Sequence, residues 1–376
     1  MLKGVYVSLL VGPVVPVPVP KAVIEALTEI QITTAVGQRS GFQLTFILSS
    51  KSVLNTILLT IGQMPPVVRV IIIVTINGTP NVLMDGMITH QQVSPNVESG
   101  QSTLTLTGED LSAVMDLSLI SFKGMPYPAM PPEARVALIL AKYAVFGIIP
   151  LIIPTLFPDI PIPVERIPSQ QGTDLGYINQ LAEKAGYTFY LDPGPAPGTN
   201  TAYWGPMIKF GVPQPALNVN MDAHTNVESL NFRYDGSSKV LPIVYIQNQL
   251  TKTPIPIPIP DISPLNPPLA AIPPVPAKIE FLEHTAKLSP MQAVLAGMAV
   301  ASKSSDAVTG SGTLNVLRYG RLLKARGLVG VRGAGQAFDG LYYVKNVTHT
   351  LKRGEYKQNF SLTRNGLVSL TPRVPV

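Results

Sequence analysis

Residues 340–366 read GLYYVKNVTHTLKRGEYKQNFSLTRNG, a pattern that predicts one long β-hairpin with its turn at Gly354. The return arm alternates in polarity, because Tyr356, Phe360 and Leu362 share one face and mostly polar side chains occupy the other. The outgoing arm carries large apolar side chains on both faces. We therefore expect this strand to be covered on both sides.

A second informative stretch, residues 172–187, reads GTDLGYINQLAEKAGY. Thr173 or Asp174 can cap a helix there, and Gly186 can end it in the left-handed conformation. Helical spacing gives this stretch one apolar face, formed by Leu175, Ile178, Leu181, Ala182 and Ala185. The pattern predicts a helix that is followed by a strand.

The hairpin sequence resembles the end of the phage late control D family, whose members are the central hubs of contractile-tail baseplates. Residues 172–187 resemble the helix–strand segment shared by those hubs and the base of type VI secretion VgrG spike proteins. The order and separation of the two motifs extend the resemblance over roughly residues 30–366. Two proline-rich segments, residues 15–20 and 251–276, depart from the family pattern.

The resemblance implies a mainly β fold with an α+β insertion. It implies two tail-tube-like antiparallel β-barrel domains, at residues 1–115 and 221–376, and a small α/β domain at residues 116–220. Residues 251–276 then form a proline-rich extended insertion in the second β domain.

The resemblance also implies a non-enzymatic adaptor. Hubs of this family form homotrimers that join the hexameric tail tube to a trimeric spike, among other baseplate proteins, and long hairpins are natural contacts between copies. Such a protein is made in the cytoplasm and becomes part of a phage tail or an injection particle. Two other classes remain as alternatives, a tail-associated cell-wall hydrolase and a membrane-inserted channel component.

Composition is consistent with a protein that contacts other proteins. The chain has 376 residues, of which 46% are hydrophobic and 13% charged, against about 25% charged in typical soluble domains. It has no cysteine, which excludes disulfides, thiolate metal sites and cysteine nucleophiles and suits a reducing compartment.

The region from residue 31 to residue 110 has strand composition throughout. Asn77-Gly78 lies between two apolar runs and predicts a hairpin turn, with Thr79 and Pro80 lengthening the loop. The Asp85-Gly86 step predicts a bulge or a bend in the returning strand.

Two apolar runs raise the question of membrane insertion. The first ends at Val15 and is followed by alternating prolines without a signal-peptide cleavage site. The second, residues 136–157, contains Lys142, Pro150 and Pro154, which favour a helix followed by an extended apolar strand. We expect no stable membrane insertion.

Ten of the 26 residues from Thr251 to Pro276 are proline, which predicts an extended, semi-rigid spacer over the surface. A docking arm for a neighbouring subunit is the alternative interpretation. Ser289 and Pro290 then predict the start of a helix. Its apolar stripe is expected to contain Met291, Val294, Leu295 and Met298.

Sequence signatures of catalysis or metal binding are absent. The histidines, His90, His224, His284 and His349, stand at least 60 residues apart, and none has a further ligand at metal-binding spacing. Neither a Gly-x-Ser-x-Gly motif nor a phosphate-binding loop occurs, and the glycines of residues 330–335 fit turns. We therefore predict no catalytic residue, no cofactor and no metal. Paired carboxylates of a glycosidase are adjacent only in space, so the hydrolase alternative stays open.

The last part of the chain is basic. From residue 301 onward, 12 Lys or Arg residues face only Asp306, Asp339 and Glu355. Stacking aromatics are not interleaved with them as in nucleic-acid modules, so we expect an electrostatic protein interface and no nucleic-acid recognition. The predicted interface consists of Arg318, Arg321, Lys324, Arg326, Tyr342, Val344, Tyr356 and Phe360.

Overall fold

The architecture comes from a computed structural model, which describes residues 4–48, 67–96, 101–118, 120–155, 160–164, 167–247, 253–260, 267–283, 285, 290–371 and 374. The strands of the described residues are β1 (Val5–Gly12), β2 (Val17–Pro18), β3 (Leu27–Ala35), β4 (Gly41–Leu48), β5 (Arg69–Ile76), β6 (Thr79–Asn96), β7 (Gln101–Asp110), β8 (Ile148–Ile152), β9 (Thr188–Pro193), β10 (Asn200–Gly205), β11 (Gln214–Asn218), β12 (Val227–Tyr234), β13 (Val240–Gln247), β14 (Pro254–Pro258), β15 (Ala270–Ile272), β16 (Lys278–Phe281), β17 (Val308–Asn315), β18 (Leu328–Arg332), β19 (Gly340–Lys352), β20 (Glu355–Arg364) and β21 (Leu367–Ser369). The α-helices are α1 (Lys21–Ala26), α2 (Pro132–Ala141), α3 (Asp174–Ala185), α4 (Pro290–Lys303) and α5 (Val316–Tyr319).

The fold is mainly β, with large antiparallel sheets, as the sequence predicts. The largest sheet has 13 strands in the order β12-β17-β20-β19-β3-β4-β7-β6-β5-β1-β2, with β18 on β19 and β11 on β18. Pairing of β3 with β19 joins the first β region to the last, and the hydroxyls of Thr33 and Thr348 lie 3.0 Å apart across this pair. One buried apolar cluster extends through both regions.

The predicted C-terminal hairpin is confirmed as β19 and β20, with a turn at Arg353 and Gly354. Along β20, Tyr356, Phe360 and Leu362 point into the core as their alternation predicts. The strand β19 contains a bulge, since the register shifts between Val344 and Asn346. An extra residue moves later side chains to the opposite face, which explains why apolar residues occupy both faces of this arm in the sequence.

The strands predicted before residue 110 are also confirmed, but the details of the β5–β6 hairpin differ. Thr79 pairs with Ile76, so the loop contains only Asn77 and Gly78, with φ angles of 49° and 82°. Positive φ at both positions is typical of the tight type I′ turn, and the prediction of a longer loop was wrong. The strand β6 has bulges at Leu83, in its pairing with β5, and at Thr89, in its pairing with β7, on either side of the predicted Asp85-Gly86 step.

The α/β insertion is built from α2, α3 and a sheet in the order β8-β10-β9. The side chain of Thr173 caps α3 by accepting a hydrogen bond from the backbone N–H of Gly176, and Gly186 ends the helix with a φ of 68°. Both features agree with the sequence prediction. The apolar run from residue 136 forms the end of α2 and then β8. No helix among the described residues is long and apolar enough to cross a membrane.

The helix α4 packs on β13 through small residues. Its fully buried positions are Ala293, Gly297 and Ala301, which recur every four residues. A Cβ atom on Gly297 would lie 2.6 Å from Cγ1 of Ile259, so glycine allows the close approach. The predicted methionine stripe is therefore wrong in part, because Met291 is exposed. The predicted cap at Ser289 lies outside the described residues.

The described part of the proline-rich segment contains two strands, β14 and also β15, which pairs with β21. Residues 254–258 form β14, which pairs antiparallel with β13 in the sheet β14-β13-β16. Ile257 and Ile259 pack into a small cluster with Val244 and Ala293. The spacer interpretation is therefore wrong for these residues. Residues 251–252 and 261–266 of the same segment lie outside the described part of the chain.

Candidate assembly interface

Four of the eight predicted interface residues lie in the core of the chain. Tyr342, Val344, Tyr356 and Phe360 are all buried and belong to the cluster that joins the two β regions. Their side chains therefore stabilise the chain itself, which corrects their assignment to a protein interface. Alternation in a sequence identifies a buried face but does not show whether the same chain or a partner covers it.

Three of the four predicted basic residues are on the surface. Arg318 lies in the short helix α5, Arg321 and Lys324 follow it, and all three are exposed. Asn315 caps α5 by accepting hydrogen bonds from the N–H groups of Leu317 and Arg318, at 3.0 and 3.3 Å. The cap fixes the backbone at the start of α5, and Arg318, Arg321 and Lys324 follow within a few residues. Their three positive charges lie on a surface suited to an acidic partner.

Arg326 has a different role, because its side chain is only 4% exposed. Its Nη2 donates to the backbone carbonyl of Ala35 at 3.0 Å, and its Nη1 lies 3.3 Å from the carboxylate of Asp192. The guanidinium carbon stands 3.9 Å from the ring centre of Tyr190. Arg326, which lies in the loop before β18, thus joins this loop to β3 and to the insertion. It is not part of the exposed basic surface.

A second buried arginine fixes the first β region to the insertion. Nε of Arg69 donates to Oδ1 of Asp85 and Nη2 donates to Oδ2, both at 2.7 Å. Nη2 also donates to the carbonyls of Phe146 and Gly198, at 2.9 and 3.0 Å. The amide of Asn200 donates to Asp85 at 2.8 Å. Because the side chains are only 3% and 0% exposed, loss of either charge would leave the other without a counterion.

A third ion pair lies beside the second β region, where Nζ of Lys209 donates to Asp306 at 2.8 Å. None of these three joints has an obvious signal in the sequence, since each pairs residues at least 16 positions apart. Together they hold the insertion against both β regions.

Exposed apolar side chains on the insertion form a further candidate interface. Ile149 and Leu151 lie on the face of β8 opposite Ile148, which packs in the core, and Leu138 and Val145 are exposed on α2 and in the segment after it. Ile160, Ile162 and Val164 are exposed a few residues later in the chain. Neighbouring exposed apolar side chains on one face of a strand, such as Ile149 and Leu151, mark interaction sites more often than ordinary surface does. The sequence signal for it is the apolar run from residue 136, which predicts the elements but not the exposed face.

No group of three or more His, Cys, Asp and Glu among the described residues could hold a metal ion. A cavity of about 500 Å³ lies between α3, α4 and the loop after β3. Its lining includes Asp110, whose pKa is raised by burial, and that carboxylate accepts hydrogen bonds from the N–H groups of Ser40 and Ser112 at 2.7 and 3.0 Å. These bonds fix the loop and give Asp110 a structural role.

Among the histidines, His349 is buried in the sheet, and its Nδ1 lies 2.7 Å from the hydroxyl of Tyr356. Burial lowers its pKa to about 4, so it is neutral at physiological pH. This agrees with a structural histidine. His284 lies outside the described residues.

Comparison with known proteins identifies the fold. No protein-family model and no curated protein matches the sequence. Among solved structures, a tail protein from Neisseria meningitidis MC58 matches with a TM-score of 0.63 and 14% identity, over 97% of this chain and 98% of that one. The 43 kDa tail protein of prophage MuSo2 from Shewanella oneidensis matches with a TM-score of 0.59 and 15% identity, over 96% and 98% of the two chains.

A third match is the E. coli c3393 protein, a component of the type VI secretion system with structural similarity to T4 bacteriophage tail proteins gp27 and gp5. Its TM-score is 0.51 at 12% identity, over 93% of this chain and 78% of that one. The structural neighbours are thus phage tail proteins and type VI secretion components, consistent with the baseplate hub family that the sequence resembles. At these identities the likeness shows a shared fold.

Proposed function

We propose that this chain is the structural hub of a contractile phage tail or injection-system baseplate, a homotrimeric adaptor between the hexameric tail tube and a trimeric spike. The observation that carries the proposal is the match of nearly the whole chain, 97%, to nearly the whole of a phage tail protein, 98%. The two β regions would each act as a tube-like domain, so that three chains present six such domains to the tube and threefold symmetry to the spike.

Such an adaptor needs to be stiff, and the buried ion pairs and hydrogen bonds between the insertion and the β regions support this. Arg326 and Arg69 each bind carbonyl groups from separate parts of the chain, which restricts movement of the insertion relative to the sheets. The hub would be made in the cytoplasm and then become part of the particle, in contact with other baseplate proteins. Neither a cofactor nor nucleic-acid recognition enters the proposal.

Native mass spectrometry of the chain with its tube and spike proteins tests the proposal. We expect a complex with three copies of this chain, because only a threefold ring of two-region chains matches both partners. A stable monomer or dimer in the presence of the spike would contradict the adaptor function. A monomer in isolation would not, since assembly can depend on the partner.

The exposed basic residues provide a second test, with Arg326 left intact because it is buried. The triple variant Arg318→Glu, Arg321→Glu and Lys324→Glu should fold normally and associate more slowly with the tube or a neighbouring copy, with altered salt dependence. The matched control is Lys21→Glu, an exposed charge on α1, outside the predicted basic interface. Equal association rates for the parent and the triple variant at every salt concentration would assign the basic residues to ordinary surface.

A further inference from the structure

Prolines alternate with β-branched residues in two segments of this chain, VPVPVP at residues 15–20 and PIPIPIP at residues 254–260. Both segments lie at the end of a sheet. In the sheets of the described residues, the first segment contains β2, the terminal strand beside β1, and the second contains β14, the terminal strand beside β13. A terminal strand presents unpaired backbone groups along its outer edge, where another strand can add.

The hydrogen bonds show which way the prolines of β14 point. The N–H of Ile259 donates to the carbonyl of Pro242 at 2.9 Å, so Ile259 directs its backbone groups toward β13. Successive residues of a strand alternate in this direction. The even-numbered positions therefore face outward, and in β14 these are Pro254, Pro256 and Pro258, all of them exposed. The outer edge of β14 consequently has carbonyl groups but no N–H donor.

The same arrangement occurs in β2. The N–H of Val19 donates to the carbonyl of Leu9 at 3.0 Å, which places Pro16, Pro18 and Pro20 at the outward positions. A weaker version occurs in β8, the terminal strand of the insertion sheet. There the N–H of Ile153 donates to Trp204 at 2.9 Å, so Pro150, in the middle of the strand, faces outward.

We propose that these prolines close the outer edges of β2 and β14 to strand addition by another protein chain. A new strand needs both donors and acceptors from the edge that it joins, and these edges offer only acceptors. In β12, the terminal strand at the other end of the largest sheet, the residues from Val227 to Tyr234 include no proline. Strand pairing during assembly is thereby directed away from the proline edges. The inference goes beyond the proposed hub function and does not depend on it.

The test is to restore the donors on β14 with the triple variant Pro254→Thr, Pro256→Thr and Pro258→Thr. We expect this variant to self-associate through the new edge, with a concentration-dependent shift to twice the mass of the parent in sedimentation velocity. Hydrogen exchange should show slowed exchange of the three new amides as association proceeds. The matched control is Pro128→Thr, Pro197→Thr and Pro276→Thr, three exposed prolines outside strands, which should sediment as the parent does.

A folded triple variant that keeps the mass of the parent, with new amides that exchange freely at its highest soluble concentration, would overturn the proposal. If the triple variant does not fold, the pair Pro16→Thr and Pro18→Thr on β2 decides the question by the same two measurements. Association of that pair supports the proposal, and its absence in the folded protein refutes it. Tube and spike proteins are not needed, so the result is independent of the test of the hub function.

Discussion

The C-terminal hairpin and the proline-rich strand β14 are both β structure, but they occupy opposite positions in their sheets. The hairpin strands β19 and β20 have partners on both edges, β3 and β18 on one side and β17 on the other. Among the described residues, the strand β14 has a partner strand on one edge only. Buried side chains of the hairpin therefore belong to the core that both β regions share. The partly buried side chain of Ile257 in β14 belongs to a small separate cluster.

This difference teaches that strand composition and strand position carry different information. Prolines are incompatible with both edges of a central strand, yet they fit the outward positions of a terminal strand. Proline content alone therefore predicts a spacer where the protein forms a sheet edge. Mutations should affect the whole molecule when they fall in the hairpin and only a local unit when they fall in β14.

The largest effect is expected for Phe360→Ala in β20. The side chain is buried in the shared core, and large-to-small substitutions of this type cost about 3–5 kcal/mol in the free energy of unfolding. Denaturant unfolding measures the change. The matched control is the exposed neighbour Asn359→Ala, which removes one hydrogen bond with Thr313 and should cost about 1 kcal/mol or less. Similar losses for both variants would contradict a central position for the hairpin.

The second prediction concerns acid stability of the hairpin. Burial holds the pKa of His349 at about 4 in the folded protein, against 6.5 as its ordinary value. Between these values the unfolded chain binds a proton that the folded chain does not, so the free energy of unfolding falls as pH decreases from 6.5 to 4, by up to about 3 kcal/mol. Above pH 6.5 this effect disappears.

The variant His349→Gln should have a smaller pH dependence than the parent across this range, as measured by denaturant unfolding at several pH values. The described residues of β14, Pro254–Pro258, contain no titratable side chain, so the local opening of this strand has no such source of pH dependence. An unchanged pH profile in the variant would show that the pKa of His349 is the same in the folded and unfolded states.

The third prediction addresses β14 itself. Ile259 directly follows β14, and Ile259→Ala should cost about 2 kcal/mol, at the low end for such substitutions, because the surrounding cluster is small and partly exposed. The loss should appear as faster hydrogen exchange in β13 and α4, with unchanged exchange in β19. The control is Ile255→Ala on β14, whose side chain is exposed. If exchange in β19 also accelerates, then β14 is coupled to the main core and is not part of a separate local unit.

The smallest effect is expected on the surface that precedes the hairpin. Arg321→Glu should change the free energy of unfolding by about 0.5 kcal/mol or less, because the side chain is exposed. By contrast, Arg326→Ala removes hydrogen bonds to buried carbonyls and should be clearly destabilising. Thermal unfolding of the two variants distinguishes them. Equal stability would mean that Arg326 is not a joint between the regions.

Local patterns predicted the elements of this fold well. The alternation of Tyr356, Phe360 and Leu362 predicts both a strand and its buried face, and the cap and terminal glycine of α3 predict both ends of that helix. These predictions hold because side-chain direction and capping depend on residues close together in the chain. The β19 arm was ambiguous for the same reason, since a bulge changes the face of every later residue.

The candidate interface was less predictable, because the four hairpin side chains assigned to it are covered by the same chain. Whether an apolar face is covered by the same chain or by a partner depends on contacts between distant residues, as with Thr33 and Thr348 across β3 and β19. The exposed face of β8 was missed because an apolar run has the same composition whether it is buried or exposed.

The sequence by itself determined most strands and helices outside the proline-rich segment, the positions of the turns at Gly78 and Gly354, the absence of cysteine chemistry and the resemblance to baseplate hubs. Tertiary structure alone decided that the first and last β regions share a sheet, that Arg326 and Arg69 are buried joints, and that the alternating prolines lie along outer edges. The physical reason is that periodicity and capping act over a few residues, whereas ion pairing and sheet order depend on segments far apart in the chain.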